Sequence, residues 1–329
     1  MTSARLQDAH GRVVDYVRVS LTAACNFRCA FCMPAEGAEG GAAENLSRDE
    51  RRRLCRILAG CGVRHFKITG GEPFMAEGAV ELMAWLKHDL GAESVTVTTN
   101  GSTLDRHAEG LAAAGVDGVN VGVNAVSPQV FRTITRAEST PRRILGNILL
   151  AKSLGLAVKM NMVPLCGVND GDILPLAEFA GEHGIPLRFI ELMPVGPAAF
   201  FRSVPLNAVR RLLEERFGPI SVHDGRFGNG PAAYFRAGVV ETPFGYIAAL
   251  SRRFCADCNR VRLTGSGFLR TCLHHEDGVN LSAALRAGED DTAIARRVAA
   301  AVAAKPGGHL LDAAAGRVTD AGFMFRIGG

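Results

Sequence analysis

Three cysteines share one short loop, Cys25-Asn-Phe-Arg-Cys29-Ala-Phe-Cys32, and their spacing lets that loop wrap a single metal centre. Thiolates so arranged favour zinc or an iron–sulfur cluster. A structural zinc wants a fourth ligand close by, and neither His nor Cys follows before Cys55. On a four-iron cluster the same three thiolates leave one iron open to a ligand. Cys255, Cys258 and Cys272 form a second triad. Here His274 and His275 could complete a zinc site, so zinc and an open cluster both stand as readings. Arg260 and Arg262 alternate, which on a strand turns both guanidiniums to one face. Thr69-Gly70-Gly71-Glu72-Pro73 offers two glycines where a backbone could approach a ligand closely. Cys55, Cys61 and Cys166 stand apart and read as small buried side chains.

The elements that must carry these residues alternate. Strand-like runs over 13–21, 65–69, 95–99, 118–124, 157–163 and 187–192 are separated by amphipathic helical patterns over 47–59, 78–90, 104–114, 142–154 and 172–183, and a further helix over 206–217 follows. Ser47 and Glu50 make a capping box for the first helix. Six β-α units imply parallel strands, in a doubly wound sheet or a barrel. The first cysteine loop follows the first strand, at the carboxyl end where such folds place their chemistry. Arg18, Lys67, Lys159 and Arg188 all fall on these strands, and four cations converging on one mouth suit a triphosphate. Those side chains would act in place of a Walker loop, which is absent. After about residue 220 the rhythm breaks into strand-like pieces over 233–235, 246–249 and 260–264 and a helix over 292–304. The chain thus divides into 1–220 and a smaller C-terminal region, 221–329. Segment 35–44 reads as a flexible loop, and the apolar run Phe323-Met324-Phe325 as an anchor for the tail.

Composition bounds the rest. Of 329 residues 47% are hydrophobic and 21% charged, which excludes a disordered chain. No stretch approaches the ~18 apolar residues of a membrane span, and the first residues lack a signal-peptide core. A net charge of +4 is too small to argue for duplex nucleic acid. Nine cysteines, an odd number without a signal peptide, point to a reducing compartment. A soluble, cytoplasmic protein with neither membrane nor nucleic-acid partner is expected.

The Cys-x₃-Cys-x₂-Cys loop after the first strand resembles the signature of radical S-adenosylmethionine enzymes, and the Gly-Gly-Glu-Pro segment matches it. Over nearly the whole chain, from about Arg12 to the final Gly-Gly, the sequence is similar to the GTP 3′,8-cyclase family of molybdenum cofactor biosynthesis. The resemblance rests on Arg18-Val-Ser-Leu-Thr, Cys32-Met-Pro, Arg188-Phe-Ile-Glu-Leu-Met193, the Cys255 to Cys272 set and Ile327-Gly328-Gly329. It implies an α/β fold: a partial (β/α)6 barrel of parallel strands whose mouth a smaller C-terminal α+β region closes. It also implies two four-iron, four-sulfur (4Fe-4S) clusters, on Cys25, Cys29 and Cys32 and on Cys255, Cys258 and Cys272. S-adenosylmethionine contacts would fall on Phe31, Gly71, Gly122 and Met193. GTP contacts would fall on Arg18, Lys67, Thr98, Lys159, Arg188, Arg260, Val261 and Arg262. In the reaction so implied, a 5′-deoxyadenosyl radical removes the ribose 3′ hydrogen of GTP and the carbon radical attacks C8, giving (8S)-3′,8-cyclo-7,8-dihydroguanosine 5′-triphosphate. Gly328 and Gly329 would reach the active site and support turnover. A one-electron donor, a homodimer and hand-over to the next enzyme of the pathway are implied too.

The chain departs from the family pattern at three places. Gly122-Val123-Asn124-Ala125 stands where Ser-Leu-Asp-Ala is usual, Phe31 where Tyr is usual, and Lys67 where Arg is usual. Losing the serine hydroxyl would weaken cofactor binding by about 1 kcal/mol. The alternatives are another radical S-adenosylmethionine enzyme with an auxiliary cluster, such as a peptide-modifying one, and a metal-stabilised binding module.

Overall fold

The structure, a computed structural model, describes residues 5–37, 45–225, 227–309 and 323–327. Six parallel strands, β1 (Tyr16–Ser20), β2 (His65–Thr69), β3 (Ser94–Thr99), β4 (Gly118–Gly122), β5 (Val158–Met162) and β6 (Leu187–Ile190), lie side by side in chain order. The helices between them are α1 (Arg48–Gly60), α2 (Ala79–His88), α3 (Leu104–Ala113), α4 (Pro128–Thr135), α5 (Pro141–Ser153) and α6 (Ile173–Glu182), and α7 (Leu206–Phe217) follows β6. Ser47 and Glu50 form the expected capping box on α1, each side chain accepting from the other's backbone N–H. Helix α4 lies outside the expected set; among its eight residues only Val130, Phe131 and Ile134 carry an apolar repeat.

Alternation along the strands decides what the sheet encloses. A parallel sheet packed on both faces reads as continuous apolar runs, whereas YVRVS, HFKIT, VKMNM and LRFI alternate. Val17, Val19, Phe66, Ile68, Val158, Met160, Leu187 and Phe189 are buried in the core. The alternate positions Arg18, Lys67, Asn161 and Arg188 line a channel on the other face.

The C-terminal region adds β7 (Ile220–His223), β8 (Ala233–Ala237), β9 (Val240–Ile247), β10 (Arg260–Leu263), β11 (Phe268–Arg270), β12 (Gly278–Asn280), α8 (Leu281–Arg286) and α9 (Asp291–Ala303). These strands build no separate sheet. Strand β10 pairs parallel to β1 at one edge and β9 parallel to β6 at the other, with β11, β12 and β8, β7 continuing outward antiparallel. The partial barrel is thus open, and the C-terminal region extends it on both sides. The expected strand over 246–249 proves to be the end of the longer β9, because Pro243 and Gly245 hide its β character in the sequence. Segment 35–44 lies largely, and Gly328 and Gly329 wholly, outside the described residues.

Candidate active site

Strand direction places the two cysteine triads at opposite ends of the channel. Cys25 follows the carboxyl end of β1, while Cys258 precedes β10, which runs parallel to β1 with Arg260 level with Tyr16. The five residues of β1 alone span roughly 13 Å. All six cysteines line one cavity of about 390 Å³. Between the triads lie Arg18, Lys67, Thr98, Arg188, Arg260 and Arg262. The cations therefore occupy the channel's interior rather than gathering at one mouth, since Arg18 is in register with both Arg262 and Lys67 at mid-strand.

At the carboxyl end, Gly70 and Gly71 line the channel and also meet a neighbour their sequence does not announce. A Cβ on Gly71 would stand 2.3 Å from the Ala24 carbonyl oxygen, and one on Gly70 2.7 Å from that of Thr22. The close approach is to the backbone of the cysteine loop itself, sealed by Gly71 N–H donating to Thr22 and Glu72 N–H to Ala24. Glu72, almost wholly buried, accepts from the Thr99 hydroxyl and the Asn100 amide at 2.7 Å each, and burial raises its carboxyl to about 7. Asn100 in turn points its Nδ2 at the Cys25 sulfur (3.8 Å) and at Asn26 Oδ1 (2.8 Å). Phe27 N–H also donates to the Cys25 sulfur, at 3.4 Å, and the Phe325 backbone N–H donates to Cys32. Sulfurs surrounded by aimed donors suit thiolates that ligate a cluster. Without one, burial pushes Cys25 up to about 11 and Cys32 to about 12, and Cys29 rises well above the ordinary thiol range.

The cations press on one another. Burial, then the charges of Arg18, Arg188, Lys159 and Arg260, hold Lys67 well below the usual lysine range. Burial, then Arg18 and Arg260, does the same to Arg262. Lys159 falls to about 8 through burial and Arg188. Arg188 is held by Asn161 (Nε to Oδ1, 2.8 Å) and by Asn120, whose own amide donates to the Val97 carbonyl. Such mutual repulsion in a buried channel is relieved by a polyanion.

At the other end, Arg260 lies over the Phe254 ring at 4.9 Å, and burial with neighbouring His309 and Arg262 pushes His274 down to about 3, keeping its imidazole neutral. Burial raises the Cys258 thiol, but Lys305 and Arg260 outweigh it and pull the thiol below its ordinary value. Among the described residues no three Cys, His, Asp or Glu side chains converge as ligands of a single ion do.

Of the expected site residues, the six cysteines, Phe31, Gly71, Gly122, Met193, Arg18, Lys67, Thr98, Arg188, Arg260 and Arg262 share the channel wall. Lys159 sits beside it, its Nζ 3.5 Å from where a Gly228 Cβ would stand. Val261 turns its side chain into the core instead, as alternation on β10 requires. The tail anchor is present: Phe325 is buried and, with Met324, lines the channel, while Arg262 donates to the Ile327 carbonyl at 3.2 Å, immediately before Gly328. Asn124 lines the channel but also ties strand ends together, accepting from Val163 N–H at 2.9 Å. Cys55 is buried as expected, Cys61 is half-buried, and Cys166 is exposed on a turn, contrary to expectation. Asn26, Asn100 and Lys305 went unread, because their roles depend on partners distant in sequence.

The sequence matches the Radical SAM superfamily over residues 19–180 and the family Molybdenum Cofactor Synthesis C over 185–311. In fold it is similar to Streptococcus suis SuiB bound to precursor peptide SuiA, with a TM-score of 0.60 at 14% identity over 79% of this chain and 60% of that one. It is similar again to SuiB bound to S-adenosylmethionine, with a TM-score of 0.59 at 15% identity over 86% and 67%. Fold and site thus define a radical S-adenosylmethionine protein, a class whose cofactors are S-adenosylmethionine and an iron–sulfur cluster. Among its relatives, the GTP 3′,8-cyclase of Rhodopseudomonas palustris is 39% identical over 92% of this chain and 89% of that protein. Those of Heliobacterium modesticaldum (40%, over 93% and 95%) and Caulobacter vibrioides (37%, over 100% and 95%) are similar to the same degree. The chain belongs to the GTP 3′,8-cyclase family.

Proposed function

We propose that this protein converts GTP to its 3′,8-cyclised form, the first step of molybdenum cofactor biosynthesis, with one 4Fe-4S cluster on each cysteine triad. The observation that carries this reading is a cation-lined channel with a thiol triad at either end. When bound, the first cluster supplies one electron to S-adenosylmethionine and so a carbon radical able to take the ribose 3′ hydrogen. Phe31, Gly71, Gly122 and Met193 hold the S-adenosylmethionine at that end. Arg18, Lys67, Lys159, Arg188, Arg260 and Arg262 bind the triphosphate and Thr98 the nucleotide beside it, charge-assisted contacts that fix the ribose between the two clusters. With the Val261 side chain in the core, any contact of that residue with GTP would be through its backbone. Cys255, Cys258 and Cys272 would hold the second cluster, which would supply a Lewis-acidic iron to orient the guanine. Gly328 and Gly329, which follow the anchored Ile327 in sequence, support turnover.

A functional division near residue 220 fits this reading, with the radical chemistry assigned to 1–220 and substrate orientation to 221–329. A one-electron donor must serve the first cluster, and the product passes to a following enzyme. No helix among the described residues is long and apolar enough to cross a membrane, and we place the protein in the cytoplasm, as a homodimer. The test is anaerobic iron and sulfide counting followed by incubation with reductant, S-adenosylmethionine and GTP. Two clusters per chain and a cyclised nucleotide are expected. One cluster, or cleavage of S-adenosylmethionine with GTP returned intact, would overturn the assignment.

A further inference from the structure

The segment after α9, Lys305-Pro306-Gly307-Gly308, touches all three stretches that carry the second triad. Lys305 is buried although it carries a charge, and its Nζ donates to the Arg260 carbonyl at 3.0 Å and to the Thr271 carbonyl. Those carbonyls stand two residues after Cys258 and directly before Cys272. Arg12 reaches across to the third stretch: its Nη1 donates to the Cys255 carbonyl at 2.7 Å and to Gly307 at 3.1 Å, and its Nη2 to Pro306 at 2.6 Å. Asp8, buried beside it, fixes that guanidinium at 2.5 Å. A Cβ on Gly308 would lie 3.5 Å from the Cys255 Cβ.

Burying a lysine is unfavourable unless its donors are satisfied. Here the ammonium spends two of its donors on backbone carbonyls beside two different cysteines. A cation that bridges two otherwise separate loops fixes their spacing, as partners behind metal ligands do. We propose that Lys305 is a positioning residue for the second cysteine triad and that segment 305–308 is the keystone setting the spacing of its three thiols. This rests on the reading that the triad holds a cluster.

The experiment uses the anaerobically reconstituted full chain, as wild type, Lys305→Met, Lys305→Gln and Gly308→Val. It measures iron per chain, the electron paramagnetic resonance (EPR) signals of the reduced clusters, and cleavage of S-adenosylmethionine. Lys305→Met is expected to lose about half the iron and the second cluster's signal, while the first signal and the cleavage persist. Lys305→Gln, which can still reach one carbonyl, should keep part of that iron with an altered second signal. Gly308→Val, which adds two methyl groups beyond a Cβ already in contact with Cys255 and leaves the Lys305 side chain unchanged, should also lose the second signal alone. If Lys305→Met loses both signals through misfolding, the Gln and Val variants decide the matter. Full iron with an unchanged second signal in Lys305→Met or, should it misfold, in the other two variants, would overturn the proposal. Wild-type protein with iron only at the first triad would overturn the two-cluster reading and this inference with it, a result distinguishable by the wild-type count alone.

Discussion

Replacing Lys159 by Met should move stability and ligand affinity in opposite directions. In the ligand-free protein this half-buried ammonium is held at about 8, against an ordinary 10.5, by burial and by Arg188. At neutral pH it is protonated in both folded and unfolded chains, so the folded state carries the cost of the charge. At face value the shift corresponds to roughly 3 kcal/mol, and about 1–2 kcal/mol remains after allowance for its partial exposure. The folded pKa lies below the unfolded one, so that cost is fully present below pH 8 and fades as pH rises from about 8 towards 10.5. The variant should therefore melt higher than wild type at pH 7, with the gap closing by pH 10. Its affinity for GTP should fall by roughly 1.5–3 kcal/mol, the value of a charge-assisted contact. Wild-type affinity should also weaken above about pH 8, and more steeply than that of the variant, in which Lys67 can still lose its proton. Thermal scans and equilibrium dialysis across pH, both anaerobic, measure the two effects. A variant that melts lower would refute the account of mutual repulsion, and unchanged GTP affinity would place the phosphates away from Lys159.

Other substitutions separate the parts of the site. Cys29→Ala should abolish formation of 5′-deoxyadenosine, whereas Cys258→Ala should abolish cyclisation and leave some uncoupled cleavage; product analysis by chromatography distinguishes them. Gly71→Ala, whose Cβ would stand 2.3 Å from the Ala24 oxygen, should displace the first cysteine loop and lose its iron. Gly122→Ser meets nothing nearer than 3.9 Å, so it should fold normally and tighten S-adenosylmethionine binding by about 1 kcal/mol, as calorimetry would show. Deleting Gly328 and Gly329 should leave both clusters and the melting temperature in place but sharply reduce conversion of GTP; full activity would show the pair to be dispensable.

Local pattern carried much of the architecture. Strand β2 and helix α7 fall where their periodicity puts them, because both bury one clear face. The polar channel was also written in the strands, as alternation where parallel strands usually show none. What the pattern withheld was non-local. Nothing in the order of residues says that β10 pairs with β1 and β9 with β6, so the second triad's place at the far end of the channel could not be read. Lys305 closes an Ala-rich helix, where a lysine ordinarily meets solvent, and only the fold brings the Arg260 and Thr271 carbonyls to it. Gly71 illustrates the reverse: its need for space was legible, but not that the backbone of the cysteine loop demands it as well as the channel that Gly71 lines.

Extending the open barrel from both edges has a consequence for how the chain reaches its native state. Tyr16 emerges at the start of synthesis and Leu187 past its midpoint, and both precede their outer partners, Arg260 and Phe244. Until then β1 and β6 present unpaired backbone, the template on which strands of other chains add. Closing contacts so distant in sequence is slow. A fragment ending near residue 220 should thus be prone to aggregate even though it contains every β-α unit, and co-expressing residues 221–329 should rescue it by capping both edges.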